Sequence, residues 1–340
     1  MGSWNIIGHE WAIDLLQRSI AAGRPAHAYL MSGPPGVGKT TLALRLAQAL
    51  NCDTGAASPC GSCRTCRRIE RGNHPDVRRA GLDTQAAGKK AEEAARQKAL
   101  SIDTIRAFQG DIALRPYEGR RRVFILHDAE TLSDQAANAL LKTLEEPPPF
   151  ATLVLVAQGG GELLPTVVSR CQVLKLRPLP RATVAAALQE RYNLSSEDAA
   201  VLAAWSGGRI GWAFEMAESQ ELLQQRRDQI DELLALQQQP LIDRLRWAEE
   251  RSKEYRAGQQ TTVFRWLDLW SGWWRDAILV AAGCSNDIVN LDRLADLQAI
   301  AAPLPARHAF LRRIDQAAQQ LRENVNPQLV LESLVLHLPD

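Results

Sequence analysis

The run Gly33-Pro34-Pro35-Gly36-Val37-Gly38-Lys39-Thr40 satisfies the pattern G-x-x-x-x-G-K-[ST] without a mismatch. No other feature of the chain restricts its folding as much. The pattern works as a turn from a strand into a helix, because glycines let backbone N–H groups curl around phosphate oxygens at the positive end of the helix dipole. His27-Ala28-Tyr29-Leu30-Met31 before it reads as a short strand, and Thr40 to Leu50 after it as a Leu- and Ala-rich helix. In that setting Gly33 through Gly38 cradle phosphates, Lys39 reaches the outer ones, and the Thr40 hydroxyl, with Thr41 beside it, stands where Mg²⁺ is ligated. A nucleotide, ATP or ADP, is expected there. A chance glycine-rich turn is the competing explanation.

Strand signals recur at Val123-Phe124-Ile125-Leu126, Thr152 to Ala157 and Val173 to Leu176, separated by helical patterns. Ser133 is a helix N-cap candidate with Asp134 suited to the dipole, and the helix it starts must end before Pro147-Pro148-Pro149. Strands alternating with helices imply an α/β fold with a parallel sheet covered on both faces. After Pro178-Leu179-Pro180 the strand signals stop. Arg181 to Tyr192 and Glu197 to Trp205 read as short helices, and nearly everything from Glu221 onward reads helical. The Ala/Lys/Glu/Gln-rich stretch from Gly81 to Lys98 is expected to be a surface insertion.

Hydrolysis is a separate question from binding. A phosphate-loop ATPase places an Asp for Mg²⁺ and then a Glu for water after its next core strand. Here that strand continues His127-Asp128-Ala129-Glu130, with His127 in the first slot and Asp128 in the second. A one-residue slip would make Asp128 the metal partner instead. The shorter Asp128 carboxylate reaches less far than a Glu, so the expectation is binding with weak or absent turnover.

Of six cysteines, Cys52, Cys60, Cys63 and Cys66 cluster, while Cys171 and Cys284 stand alone. Four thiolates at these spacings suit a closed tetrahedral Zn²⁺ with a structural role, and an iron–sulfur cluster is the runner-up. Arg64, Arg67, Arg68 and Arg71 around them suit phosphates or an acidic partner; local solubility explains them as well.

Forty Lys and Arg against 39 Asp and Glu leave a net charge of +1, which excludes general polyanion binding by net charge but not a local basic patch. At 340 residues two or three domains are expected. Ala277 to Ala282 is the longest apolar run, far short of the ~20 residues that cross a bilayer. The start, Met1-Gly2-Ser3-Trp4, carries no secretory pattern, so the expected location is cytoplasmic.

Further motifs bear a resemblance to a family. They are Ile7-Gly8-His9, His27-Ala28-Tyr29-Leu30, the four-cysteine module after Leu50-Asn51, Asn73-His74-Pro75-Asp76 and Ile102-Asp103 with Ile105-Arg106. The block Ala136 to Pro148, then Ser169-Arg170-Cys171 and Asn324-Val325-Asn326-Pro327, complete the set. Over nearly its whole length the chain resembles the clamp-loader subunits of bacterial DNA polymerase III, members of the AAA+ family. The tau/gamma ATPase branch shares the phosphate loop, the cysteine module and the Leu-Lys-Thr-Leu-Glu-Glu-Pro-Pro and Ser-Arg-Cys motifs. His74-Pro75-Asp76, His127-Asp128-Ala129 and the want of a long Pro-rich tail resemble the delta-prime branch more closely.

The resemblance implies an AAA+ α/β domain over 1–177, carrying a zinc module at about 52–66, a helical lid over 178–217 and an all-helical collar over 218–340. It implies that Arg170 is an arginine finger acting in trans on a neighbour's nucleotide, and that Arg209 contacts the γ-phosphate. Gln158, followed by Gly159-Gly160-Gly161, stands where hydrolysing members carry a polar sensor, usually Thr. The implied partners are tau/gamma and delta subunits, with the sliding clamp and primed DNA reached through the complex. The alternatives are an active tau/gamma-type ATPase and a stand-alone AAA+ DNA-remodelling ATPase. Trp247, Trp266, Trp270, Trp273 and Trp274 are expected to pack a helical core, against the alternative of stacking on single-stranded DNA. Arg115, Arg120, Arg121 and Arg122 suit either a DNA-facing chamber or a solvated loop.

Overall fold

A computed structural model describes residues 4–55, 57–86, 99–159 and 163–339. Most of the expected insertion, residues 87–98, lies outside these, as do Gly160 and Gly161. The chain divides into two compact units. One holds the described residues up to Pro180 together with Arg209–Trp212; the other holds Arg181–Gly208 and the residues from Ala213 onward.

In the first unit β1 (Ala28–Ser32), β2 (Val77–Ala80), β3 (Arg122–Leu126), β4 (Ala151–Ala157) and β5 (Gln172–Lys175) form a parallel sheet in the order β2-β3-β4-β1-β5. Its helices include α1 (Glu10–Ala21), α2 (Lys39–Asn51), α3 (Arg64–Glu70), α4 (Leu82–Ala86), α5 (Ile102–Ile112), α6 (Asp134–Glu145) and α7 (Pro165–Val168). Every residue of β1, β3 and β4 is buried, as befits strands covered on both faces. Alternation along β1 sends Tyr29 and Met31 into a core with Leu16, Leu42 and Leu46, and Ala28 and Leu30 into a second core with Phe108 and Leu140. Ser133 caps α6 as its sequence predicts, accepting a bond from the Ala136 N–H.

Four of the five strands are legible in the sequence. The exception, β2, is one of the two sheet edges, and unlike β5 at the other it carries two adjacent charges: Val77 is buried, while Arg78 and Arg79 are exposed. Its pattern therefore lacks the apolar run of a central strand.

The second unit is helical. Its longest helix, Gln260–Ala281, buries Trp266, Trp270, Trp273, Trp274 and Ala277 at helical spacing, and Trp247 stacks on Trp270 with ring centroids 4.9 Å apart. Trp270, Trp273 and Trp274 are 0% exposed, so these rings are core and offer no face to a nucleobase. Buried Arg307 donates to the carbonyls of Ala277, Ile300 and Ala302, which satisfies its own guanidinium in the core. Among the described residues no helix is long and apolar enough to cross a membrane.

Candidate nucleotide and metal sites

The phosphate loop runs from the end of β1 into α2. Gly33, Gly36 and Gly38 have φ of 149°, 74° and 105°, the region that favours glycine. At Gly33 the need is also steric, because a Cβ there would lie 2.3 Å from the Leu176 carbonyl oxygen. Thr40 and Thr41 are exposed on the first turn of α2. Lys39 is 8% exposed, and its Nζ donates to the loop's own carbonyls, Gly33 at 2.5 Å and Pro34 at 2.8 Å. Burial lowers the Lys39 pKa, and the charge of Glu130 opposes that by favouring the ammonium.

Two further residues complete the loop's surroundings. His9, buried and with φ of 59°, holds its Nε2 3.2 Å from the Val37 carbonyl; burial lowers its pKa. Gly211 donates its N–H to the Gly36 carbonyl at 2.7 Å. That bond brings Arg209–Trp212 onto the loop, with the Arg209 guanidinium 5.5 Å from the Trp212 ring centroid. His9 was legible only as part of a motif, since nothing in its spacing announces a contact 28 residues away.

Beyond β3 the carboxylates part. Asp128, at φ 53°, turns its Oδ2 to the Leu82 N–H at 3.2 Å. Glu130 is the carboxylate whose field reaches Lys39. His127 donates its backbone N–H to Ala80, and burial keeps its ring below the usual pKa. Gln158 is exposed just past β4.

Arg170 follows α7. Its guanidinium donates to the Thr166 carbonyl at 2.9 Å and pairs with Glu145 at 2.8 Å, while the side chain stays 36% exposed. Burial pushes the neighbouring Cys171 thiol up to about 12.

The Sγ atoms of Cys52, Cys60, Cys63 and Cys66 all lie within 4.8 Å of one another. Tetrahedral Zn–S bonds of about 2.3 Å would place the sulfurs about 3.8 Å apart, so the donor set fits that ion with a small contraction. The backbone prepares the sulfurs for negative charge: Cys63 N–H points to Cys60 Sγ and Cys66 N–H to Cys63 Sγ, each at 3.3 Å. Backbone donors from Cys63 and Ser62 bring Cys60 down to about 6, whereas burial raises Cys63 and Cys66. Cys52 is the C-cap of α2, and Gln48 on α2 donates to the Cys66 carbonyl at 2.9 Å. The module is thus tied to the helix that starts at Lys39.

Asp76 organises the approach to β3. Its fully buried carboxylate accepts from the N–H groups of Tyr117 (2.7 Å), Glu118 (2.9 Å) and Gly119 (2.7 Å), with Arg122 Nε 3.6 Å away. In the basic run before β3, Arg115 and Arg120 are exposed, whereas the fold engages Arg121 and Arg122. Arg121 bonds Thr152 and the carbonyls of Pro149 and Ala151, and Arg122 bonds those of Asp111 and Arg115.

A family model described as DNA polymerase III, delta subunit, matches residues 8–180, and one for the C-terminal part of that subunit matches residues 220–339. DNA polymerase III subunit delta' of Bacillus subtilis (strain 168) is 30% identical over 330 residues, covering 96% of this chain and 95% of its own. Subunit tau of Escherichia coli (strain K12) is 36% identical over 176 residues, 52% of this chain and 25% of tau. Among solved structures, a DNA polymerase III gamma subunit-related protein of Thermotoga maritima superposes with a TM-score of 0.51 at 19% identity, covering 96% and 98% of the two chains. That likeness is one of fold.

Proposed function

The chain belongs to the delta-prime clamp-loader family of DNA polymerase III, and on that premise we propose that it is a nucleotide-binding stator of the clamp-loader ring. ATP or ADP with Mg²⁺ occupies Gly33 through Thr41, with Arg209 toward the γ-phosphate. Arg170 is offered to the nucleotide of a neighbouring tau/gamma subunit. Together with tau/gamma and delta, in the cytoplasm, the chain helps place the sliding clamp on primed DNA. The three-part organisation over 1–177, 178–217 and 218–340 serves this role as nucleotide domain, lid and collar.

The observation that carries the stator reading is the end of β3. An imidazole stands where magnesium's aspartate belongs, and the Asp128 carboxylate is engaged by the Leu82 N–H. The aspartate-then-glutamate pair that holds Mg²⁺ and polarises water in a phosphate-loop ATPase is therefore incomplete here. Loop and lysine alone suffice to hold phosphates.

The test is steady-state ATP turnover of the purified chain, alone and mixed with tau/gamma and delta, for wild type and Lys39→Ala. The expected result is no turnover by the chain alone and full activity of the complex with Lys39→Ala. Turnover by the chain alone that vanishes with Lys39→Ala would make it an active ATPase, with Asp128 or Glu130 as its catalytic carboxylate.

The four cysteines hold one Zn²⁺, which supplies cross-linking and no catalysis, since four thiolates leave no open position. Elemental analysis should find one zinc per chain, and Cys66→Ser should bind at least about tenfold less tightly. A visible absorption band with iron in place of zinc would assign the site to an iron–sulfur cluster.

A further inference from the structure

Between Cys60 and Ala80 the chain carries six arginines and two acids. Asp76 is buried and committed to backbone donors, and Glu70 is paired with Arg45 at 2.8 Å. The arginines are not scattered. Arg64, Arg67, Arg68 and Arg71 occupy i, i+3, i+4 and i+7, so they share one face of α3, while Cys66 and Ile69 fill its buried face. Arg68 is bound to Glu118 and the Asn73 carbonyl, and Arg78 to Asp111. Arg64, Arg67, Arg71 and Arg79 are exposed and form no ion pair among the described residues. Two surface hollows flank the helix. Arg68, Asn73, Arg78 and Arg79 line one; Arg45, Cys60, Arg67, Arg71 and the Arg45-paired Glu70 line the other.

We propose that this face of α3 and the hollows beside it form a track for a DNA phosphate backbone, separate from the nucleotide loop. The inference goes beyond the stator reading and does not depend on it. From Arg64 to Arg71 the helix rises about 10 Å, the length of about three phosphates along one strand. Arginine's fork suits phosphate oxygens better than a point charge does. None of the exposed large apolar side chains among the described residues belongs to the segment from Cys52 to Ala80 itself, and the exposed ring of Tyr117 stands next in the chain to the Glu118 that pairs with Arg68. The segment offers charge rather than the aromatic and apolar anchors on which protein interfaces centre. The net charge of the chain conceals the patch, because acids elsewhere balance it.

The test measures binding of the full chain, without nucleotide, to a fluorescein-labelled thymidine oligonucleotide by anisotropy as salt is raised. For wild type, log K should fall against log salt with a slope of about −2 or steeper, about 0.7 for each phosphate contact on a single strand. Arg67→Gln/Arg71→Gln should bind about tenfold more weakly and flatten the slope by about 1.4, while Arg67→Lys/Arg71→Lys should keep the slope. Arg312→Gln/Arg313→Gln, exposed in the second unit, removes the same charge and should leave binding unchanged. A flat wild-type slope would overturn the proposal, and this reading needs no variant to fold. So would equal losses in the two glutamine pairs. Competition by polyglutamate as effective as by the oligonucleotide would also overturn it and point to an acidic protein instead.

Discussion

Arg170→Ala should lower ATP turnover at the neighbouring site by about a thousandfold in the reconstituted complex, while the complex should still assemble. A finger supplied in trans places a full positive charge on phosphoryl oxygens as negative charge spreads over them, an effect worth roughly 10³ or more in rate. Arg170 is suited to this by where it is held. It leaves the short helix α7, is anchored by the Thr166 carbonyl and Glu145, and remains 36% exposed. A guanidinium buried in its own domain would not reach a neighbour. Glu145 is itself exposed, so the pair contributes only about 0–1 kcal/mol to the fold, and losing it should not disturb assembly. Arg170→Lys should rescue little, because an ammonium lacks the planar fork. The measurement is single-turnover hydrolysis in complexes whose other nucleotide sites are disabled, with gel filtration as the assembly control. Undiminished turnover in Arg170→Ala would remove the finger from the mechanism.

The second large effect concerns stability. Asp76→Ala should destabilise the β3 region by about 3–5 kcal/mol, because three part-buried backbone N–H groups lose their acceptor together and the Arg122 guanidinium, which keeps the Asp111 and Arg115 carbonyls, loses its neighbouring negative charge. Hydrogen exchange at Val123 and Phe124 should read this as a loss of protection of about 10²-fold or more. The effect should depend on pH with a definite sign. Burial pushes the Asp76 carboxyl up, but the N–H donors of Tyr117, Glu118 and Gly119 outweigh it and hold the group below its ordinary range. A depressed folded pKa contributes stability in full above the unfolded value of about 4, and that contribution is lost as pH falls through the folded value. The gap between wild type and Asp76→Ala should therefore be widest near neutrality and close in acid. A gap that widened in acid would contradict the ionised state assigned to Asp76.

How much of this was legible beforehand varies with how local each feature is. The glycine loop, the Ser133 cap and strands β1, β3, β4 and β5 follow from short stretches whose φ preferences, capping groups or apolar runs lie within a few residues. The edge strand β2 did not, because an edge with Arg78 and Arg79 facing outward resembles a loop. Arg121 and Arg122 were read as a charged segment, yet their partners are carbonyls from other elements, which composition does not reveal. The four-cysteine cluster was legible because its spacing and its chemistry both belong to one short segment.

The sequence by itself determined that a phosphate loop would sit between a strand and a helix, that four thiols would converge, and that His127 would follow β3. Each of these depends on neighbours along the chain. Only the tertiary structure decided which carboxylate influences Lys39, that Asp128 would be bound to Leu82 46 residues away, and that Asp76 would gather N–H groups 41 to 43 residues further on. Parallel pairing brings distant segments side by side, and buried polar groups must then find partners among whatever the sheet has assembled around them.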